Sequence, residues 1–249
     1  MHDENDLKKV FMMNVPELIT TNRRQYQVYL VLSLVVLGFV SILHGIDRTV
    51  FQRFLGGINP LLAFLVAIVL GLFFLSYFLF EGWFAVYERG NGRGLAYAAG
   101  IAAVLGLIMI FVDTKIVFPH TINILFPKSL LFYPAIGLFV EIVFHMLPVG
   151  LLLLLLSTVF RDADRTRIIW VAIVIVSFLE PVYQGIHMAS SGLFPLWAVL
   201  YVGFHIFIIN FCQLSLFRRY DFITMYVFRL VYYLFWHIVW GYLRLEMLF

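Results

Sequence analysis

An all-α, polytopic transmembrane helical bundle of about seven spanning helices is the fold class that this sequence predicts, and three observations carry it. Of 249 residues, 63% are hydrophobic and 12% charged, where an ordinary soluble domain has roughly 45–50% and about 25%. The mean hydropathy of +0.98 leaves too little polar surface to cover a globule in water. Seven apolar stretches reach the ~20 residues that a spanning helix needs, and Lys and Arg alternate between the loops on either side of them. These properties exclude a soluble enzyme, a disordered chain and a nucleic-acid binder with a basic face.

Residues 1–25 are expected to form a cytoplasmic N-terminal segment. They carry Asp3, Glu4, Asp6 and Glu17 and show no small-residue cleavage site, so the first helix is expected to act as an uncleaved anchor. The spans are expected at Tyr26–Gly45, Pro60–Tyr87, Gly94–Val112, Leu130–Phe160, Ile168–Met188, Pro195–Phe217 and Ile223–Leu243. Between the third and fourth, Asp113–Ser129 has room for an interfacial helix or a re-entrant piece. The fourth span is 31 residues long, which exceeds the hydrocarbon thickness, so it must tilt, kink or protrude. The Gly90–Gly94 stretch, GNGRG, lacks the Lys-Ser/Thr ending of a phosphate loop and is expected to be a tight turn between two spans.

One side of this arrangement collects Lys8, Lys9, Arg23, Arg24, Arg89, Arg93, Arg161, Arg165, Arg167, Arg218 and Arg219; the other holds Arg48, Arg53, Lys115, Lys128 and Arg244. Eleven cations against five predict an inside N-terminus and an outside C-terminus. The expected organisation is a single transmembrane domain over 1–249. The expected location is integral and multi-pass, with the charge pattern pointing to a prokaryotic cytoplasmic membrane. One cysteine, Cys212, leaves no internal disulfide.

Ionisable groups inside a bilayer are costly, which makes each a site hypothesis. Counted along their spans, Glu141, His145, Glu180, His205 and His237 lie roughly 15–22 Å from a membrane face at 1.5 Å per residue. Glu141 and His145 share one helix face at i, i+4; Glu180, Gln184 and His187 share another at i, i+4, i+7. Arg229, Tyr233, His237 and Arg244 form a stripe on the last span, flanked by Trp236 and Trp240. Pro148 frees the carbonyl of Phe144 and Pro181 that of Ser177, and broken helices beside polar side chains line cavities in membranes. His205 alone reads as a hydrogen-bonded packing residue, and Glu180 could pair with Arg229. Glu81 and Arg229, near the inner face, are expected to snorkel. His2, His44 and His120 read as tail and loop residues.

Two chemistries fit Glu141, His145, Glu180, His187 and His237 taken jointly as a catalytic set. Imidazoles and a carboxylate could hold a zinc ion that acidifies water. Alternatively, a carboxylate acts as general base while histidines stabilise an oxyanion, with no metal.

The order Glu141-Ile-Val-Phe-His145, then Tyr183-Gln-Gly-Ile-His187, then His237-Ile-Val-Trp-Gly241 resembles the CPBP intramembrane proteases, the CAAX-prenyl-processing and bacteriocin-immunity enzymes. That family carries EExxxR, FxxxH and HxxxN. Here Val140 stands for the first Glu, His145 for the Arg and Gly241 for the Asn, and the likeness covers Leu130–Gly241 within a candidate core of 130–243. The resemblance implies that Glu141 activates water, with His187 and His237 stabilising an oxyanion or contributing to a metal site. The absent first Glu departs from the family's usual catalytic position, a gap that Glu180 could fill.

Three functions stay open. The first is an intramembrane hydrolase cutting a membrane-associated peptide. The second is a non-catalytic subunit or scaffold for partner membrane proteins, and the third a small transporter or lipid-binding protein. Lipid and a membrane-associated peptide or protein are the expected partners, and no nucleic acid.

Overall fold

In the computed structural model the described residues are 15–119, 122–192 and 194–249, without the side chains of Val15 and Arg53. His2, Asp3, Glu4, Asp6, Lys8, Lys9 and His120 of the sequence reading lie outside the described residues. Among the described residues all regular structure is helical. Among the described residues seven helices are long and apolar enough to cross a membrane: Arg23–Ile46, Pro60–Glu81, Gly92–Ile116, Ser129–Val159, Arg165–Ser191, Leu196–Arg219 and Phe222–Leu248. The chain is an integral, multi-pass membrane protein in architecture. Seven crossings put the start of the first span and the end of the last on opposite faces, called here the N-terminal and C-terminal faces.

Local chemistry sets most helix ends. Asn59 caps the second span by accepting the Leu62 N–H at 3.3 Å, and Pro60 follows at the first helical position, where its missing N–H costs nothing. That span ends at Glu81, not at Tyr87 as expected. Gly82 takes a left-handed φ of 62°, and the Trp83 N–H returns to the Phe78 carbonyl at 2.9 Å, a glycine-closed terminus. Asp164 caps the fifth span through Thr166, and Asp221 caps the seventh through Thr224. Gly90 also has a positive φ and the turn closes at Asn91, while Gly92, Arg93 and Gly94 already belong to the third span, so the turn expected of GNGRG is confined to its first two residues. The stretch after the third span holds no interfacial helix among its described residues. Its described residues fold back onto the bundle and bury Phe118 and Asn123.

Two spans are irregular where the prolines foretold it. The fourth runs α-helical over Ser129–Val140, loosens to a π-helix over Glu141–Met146, and resumes at Leu147–Val159. Its Leu147 N–H reaches back five residues to the Ile142 carbonyl, and Pro148, next in line, has no N–H to give. The fifth is interrupted at Phe178, three residues before Pro181, between Arg165–Ser177 and Leu179–Ser191. A second π-segment, Leu234–Val239, lies in the seventh span. Such segments concentrate at functional positions.

The fourth span is central, touching the first, second, fifth and seventh; the seventh packs most extensively on the third. Small residues permit close approach: the Tyr29 hydroxyl lies over Gly71, and the Phe74 ring lies over Gly150. Side chains such as Leu34, Phe73, Phe111 and Leu200 face outward, as a lipid-facing surface requires.

Candidate functional site

The polar centre is assembled by four spans. From the fourth, the π-segment presents Glu141 and His145; from the fifth, Glu180 sits just beyond the break; the sixth supplies Gln213 and the seventh Arg229 and Tyr233. Glu141, His145 and Gln213 are fully buried, and Glu180 and Arg229 are no more than 5% exposed. His145 Nδ1 donates to Glu141 Oε2 at 2.5 Å. Glu141 Oε1 accepts from both Arg229 Nε and Gln213 Nε2. Arg229 Nη2 donates to Glu180 Oε2 at 3.2 Å and to Gln213 Oε1 at 3.1 Å, and its Nη1 to the Tyr233 hydroxyl at 3.2 Å. Gln184 Nε2 closes the set on Glu180 Oε1 at 3.0 Å.

Arg229 does not snorkel to the membrane face as expected; it turns inward and joins two carboxylates. The reason is electrostatic: each charge is far cheaper paired than alone in a low-dielectric interior. Two carboxylates face one guanidinium, and His145 completes the set on the second Glu141 oxygen. His145 Nε2 is buried with no hydrogen-bond partner.

Glu141, His145 and Glu180 therefore converge as the sequence suggested, and His187 and His237 do not join them. His187 lies two turns beyond Glu180 toward the C-terminal face, exposed and stacked on Tyr183 at 5.9 Å. A helical i, i+7 relation keeps it on the Glu180 side but carries it along the axis, out of reach. His237 is half-buried in a separate cluster, its Nδ1 donating to Asn123 Oδ1 at 2.6 Å and its ring stacked on Tyr133 at 4.6 Å. Tyr133 also donates to Asn123 Oδ1 at 3.3 Å. Gly241, one turn after His237, leaves the space that Asn123 fills: a Cβ there would lie 3.0 Å from Asn123 Nδ2. Tyr233 bridges the two clusters, hydrogen-bonded to Arg229 and in ring contact with His237 at 4.9 Å. His205 is buried between Tyr201 and Tyr232, and its Nε2 has no hydrogen-bond partner.

Among the described residues no three His, Cys, Asp or Glu side chains are grouped to hold a metal ion. Of the five residues offered for a zinc ion or a metal-free base, Glu141, His145 and Glu180 meet around Arg229, while His187 and His237 lie apart. Compared with protein-family models, curated proteins and solved structures, the chain matches none.

A second buried ion pair escaped the sequence reading. Arg244 and Asp113 are both fully buried. The guanidinium donates to Asp113 Oδ2 through Nε at 2.6 Å and to Oδ1 through Nη2 at 2.9 Å, while Trp240 Nε1 adds 2.6 Å to Oδ2. The remaining Arg244 donors reach the Phe118 and Pro119 carbonyls. The lock ties the third and seventh spans and the start of the loop after the third span together at the C-terminal face. Its signal was an acidic residue immediately after one apolar run and a basic one immediately after another, both at the same end of the bundle.

Proposed function

We propose that this chain is a non-catalytic multi-pass membrane subunit or scaffold, whose buried charge cluster fixes the relative positions of four spans. The observation that carries the reading is Arg229: one guanidinium engages Glu141 and Glu180 together. With His145 on the second Glu141 oxygen, both carboxylate oxygens are occupied by donors, which is the environment of a structural anchor. A general base must have water within hydrogen-bond reach, and Glu141 is fully buried with three donors already on it. The break at Phe178 supports partner binding. Beyond it, Leu179–Ser191 buries only Glu180 and Pro181 and turns Tyr183, His187 and Ser190 outward, and polar side chains on an outer helix surface join membrane helices to one another.

A second reading, the CPBP-like intramembrane hydrolase, is favoured by one observation. Glu141 orients His145 through Nδ1 and leaves Nε2 without a partner, the arrangement of a carboxylate-held histidine base. In that reading His145 takes the proton from water and Glu141 holds the ring, a reversal of the roles expected from the sequence.

His145→Gln separates the two. In native membranes a subunit runs in an assembly well above the 28.9 kDa of the chain, and the variant leaves both that assembly and the population of membrane-derived peptides unchanged. A chain that runs alone, together with a peptide population altered by His145→Gln, would overturn the subunit reading in favour of the hydrolase.

A further inference from the structure

At the N-terminal face, two arginines sit over tryptophan rings, away from the central cluster. The Arg165 guanidinium sits 4.0 Å from the centre of the Trp83 ring, and Arg218 sits 4.4 Å from that of Trp170. The ends of the second and sixth spans meet beside them: Phe84, next to Trp83, stacks on Phe217, next to Arg218, at 4.3 Å. Arg165 is further steered by donating through Nη2 to the Glu81 carbonyl at the end of the second span. Trp83 is 9% exposed, and its indole Nε1–H is buried with no acceptor. The nearest acidic side chain in sequence, Asp164, has its Oδ1 turned onto the Thr166 N–H as a helix cap at 3.1 Å.

We propose that Arg165, Trp83 and Arg218 form a site for a phosphate-bearing anion at headgroup depth, with an anionic phospholipid as its ligand. A guanidinium stacked on a ring is held by its face, which leaves its N–H edge for two parallel bonds to phosphate oxygens. Ring and carbonyl hold Arg165 in place before the anion arrives, so little side-chain entropy remains to be lost. The unpartnered Trp83 N–H is a third donor beside it, and an anionic oxygen is the acceptor it lacks. The site stands apart from the subunit and hydrolase readings, since it touches neither Glu141 nor His145.

The test uses the full chain reconstituted in nanodiscs of phosphatidylcholine with increasing phosphatidylglycerol, with bound lipid counted by mass spectrometry and inorganic phosphate supplied separately. Arg165→Gln and Arg218→Gln are each expected to weaken retention of phosphatidylglycerol about five-fold, with phosphatidylcholine unaffected. Arg165→Lys is expected to fail to restore it, because an ammonium offers no planar fork. Trp83→Phe keeps the ring, removes the N–H and is expected to cost a smaller factor. Arg89, exposed on the same face, is the charge control, and Arg89→Gln is expected to leave retention intact. Retention of phosphatidylglycerol that inorganic phosphate does not displace identifies the lipid. Displacement by phosphate keeps the anion site and assigns it to soluble phosphate. Equal losses from Arg89→Gln and Arg165→Gln, or no preference for either anion, overturn the proposal. Unfolding midpoints in a neutral detergent check that each variant is folded.

Discussion

Replacing Arg229 with Met tests the central cluster most directly. The substitution keeps an unbranched stem of similar reach and removes the Arg229 hydrogen bonds to Glu141, Glu180, Gln213 and Tyr233. Two carboxylates then remain in a buried pocket with no guanidinium between them. Removing one partner of a buried pair costs about 3–5 kcal/mol, a factor of roughly 10² to 10³ or more in the unfolding equilibrium at 1.4 kcal/mol per decade. For a chain of this size that corresponds to a midpoint lowered by roughly 6–20 °C. A thiol-reactive fluorophore reads it well, because Cys212 is the sole cysteine, is half-buried and adjoins Gln213. Glu180→Gln should cost less, about 1–2 kcal/mol, since it leaves Glu141 and Arg229 as a one-to-one pair. Adding Glu141→Gln and Glu180→Gln to Arg229→Met removes all the stranded charge and should recover most of the loss. If Arg229→Met fell within about 1 kcal/mol of the parent, or the triple variant were no better than the single one, the electrostatic account of the cluster would be wrong.

Other consequences are smaller or more local. Gly150→Ala places a Cβ 2.1 Å from Phe74 Cδ1, and thermal unfolding should show a loss of about 1–3 kcal/mol from overpacking. Asp113→Asn strips the charge that Arg244 and Trp240 share; it should destabilise by about 3 kcal/mol and speed hydrogen exchange in the 117–128 loop, while Glu180→Gln leaves that loop protected. Asp47 accepts from Lys128 Nζ at 2.7 Å, and this bond, with those from Thr49, holds its carboxyl well below the usual carboxylate range. A lowered carboxylate pKa adds stability at pH above the unfolded value, about 3.9, and loses it as pH falls through the folded one. The difference in unfolding midpoint between the parent and Lys128→Met should therefore be constant from neutral pH to about pH 4 and disappear below. A difference that persisted at the lowest pH would sink the assignment.

How much was legible depended on how local the signal was. The seven spans were readable because each is a run of apolar residues long enough to cross hydrocarbon, a property of the run alone. The π-segment beside Pro148 and the break before Pro181 were readable for the same reason, since a missing N–H is a property of one residue. Gly82 was missed as a stop because the hydrophobic run continues past it into Trp83 and Phe84, and hydropathy does not register a left-handed φ. In the centre, i, i+4 spacing correctly paired Glu141 with His145, and depth correctly matched them with Glu180.

Which groups actually meet was a different matter. Depth along a span says nothing about rotation around it or about which spans are neighbours, so five ionisable residues at one level could be one site or several. Packing of the sixth and seventh spans against the fourth and fifth brought Gln213 and Arg229 to Glu141, and it left His187 outward and His237 with Asn123. The pairing of Asp113 with Arg244 likewise required the third and seventh spans to be adjacent. The sequence by itself determined an all-helical, membrane-spanning chain with costly polar groups at mid-depth, because water and hydrocarbon sort residues by polarity within each segment. Only the tertiary structure decided which of those groups pair with one another, because ion pairs and hydrogen bonds form over a few ångströms between segments far apart in the chain.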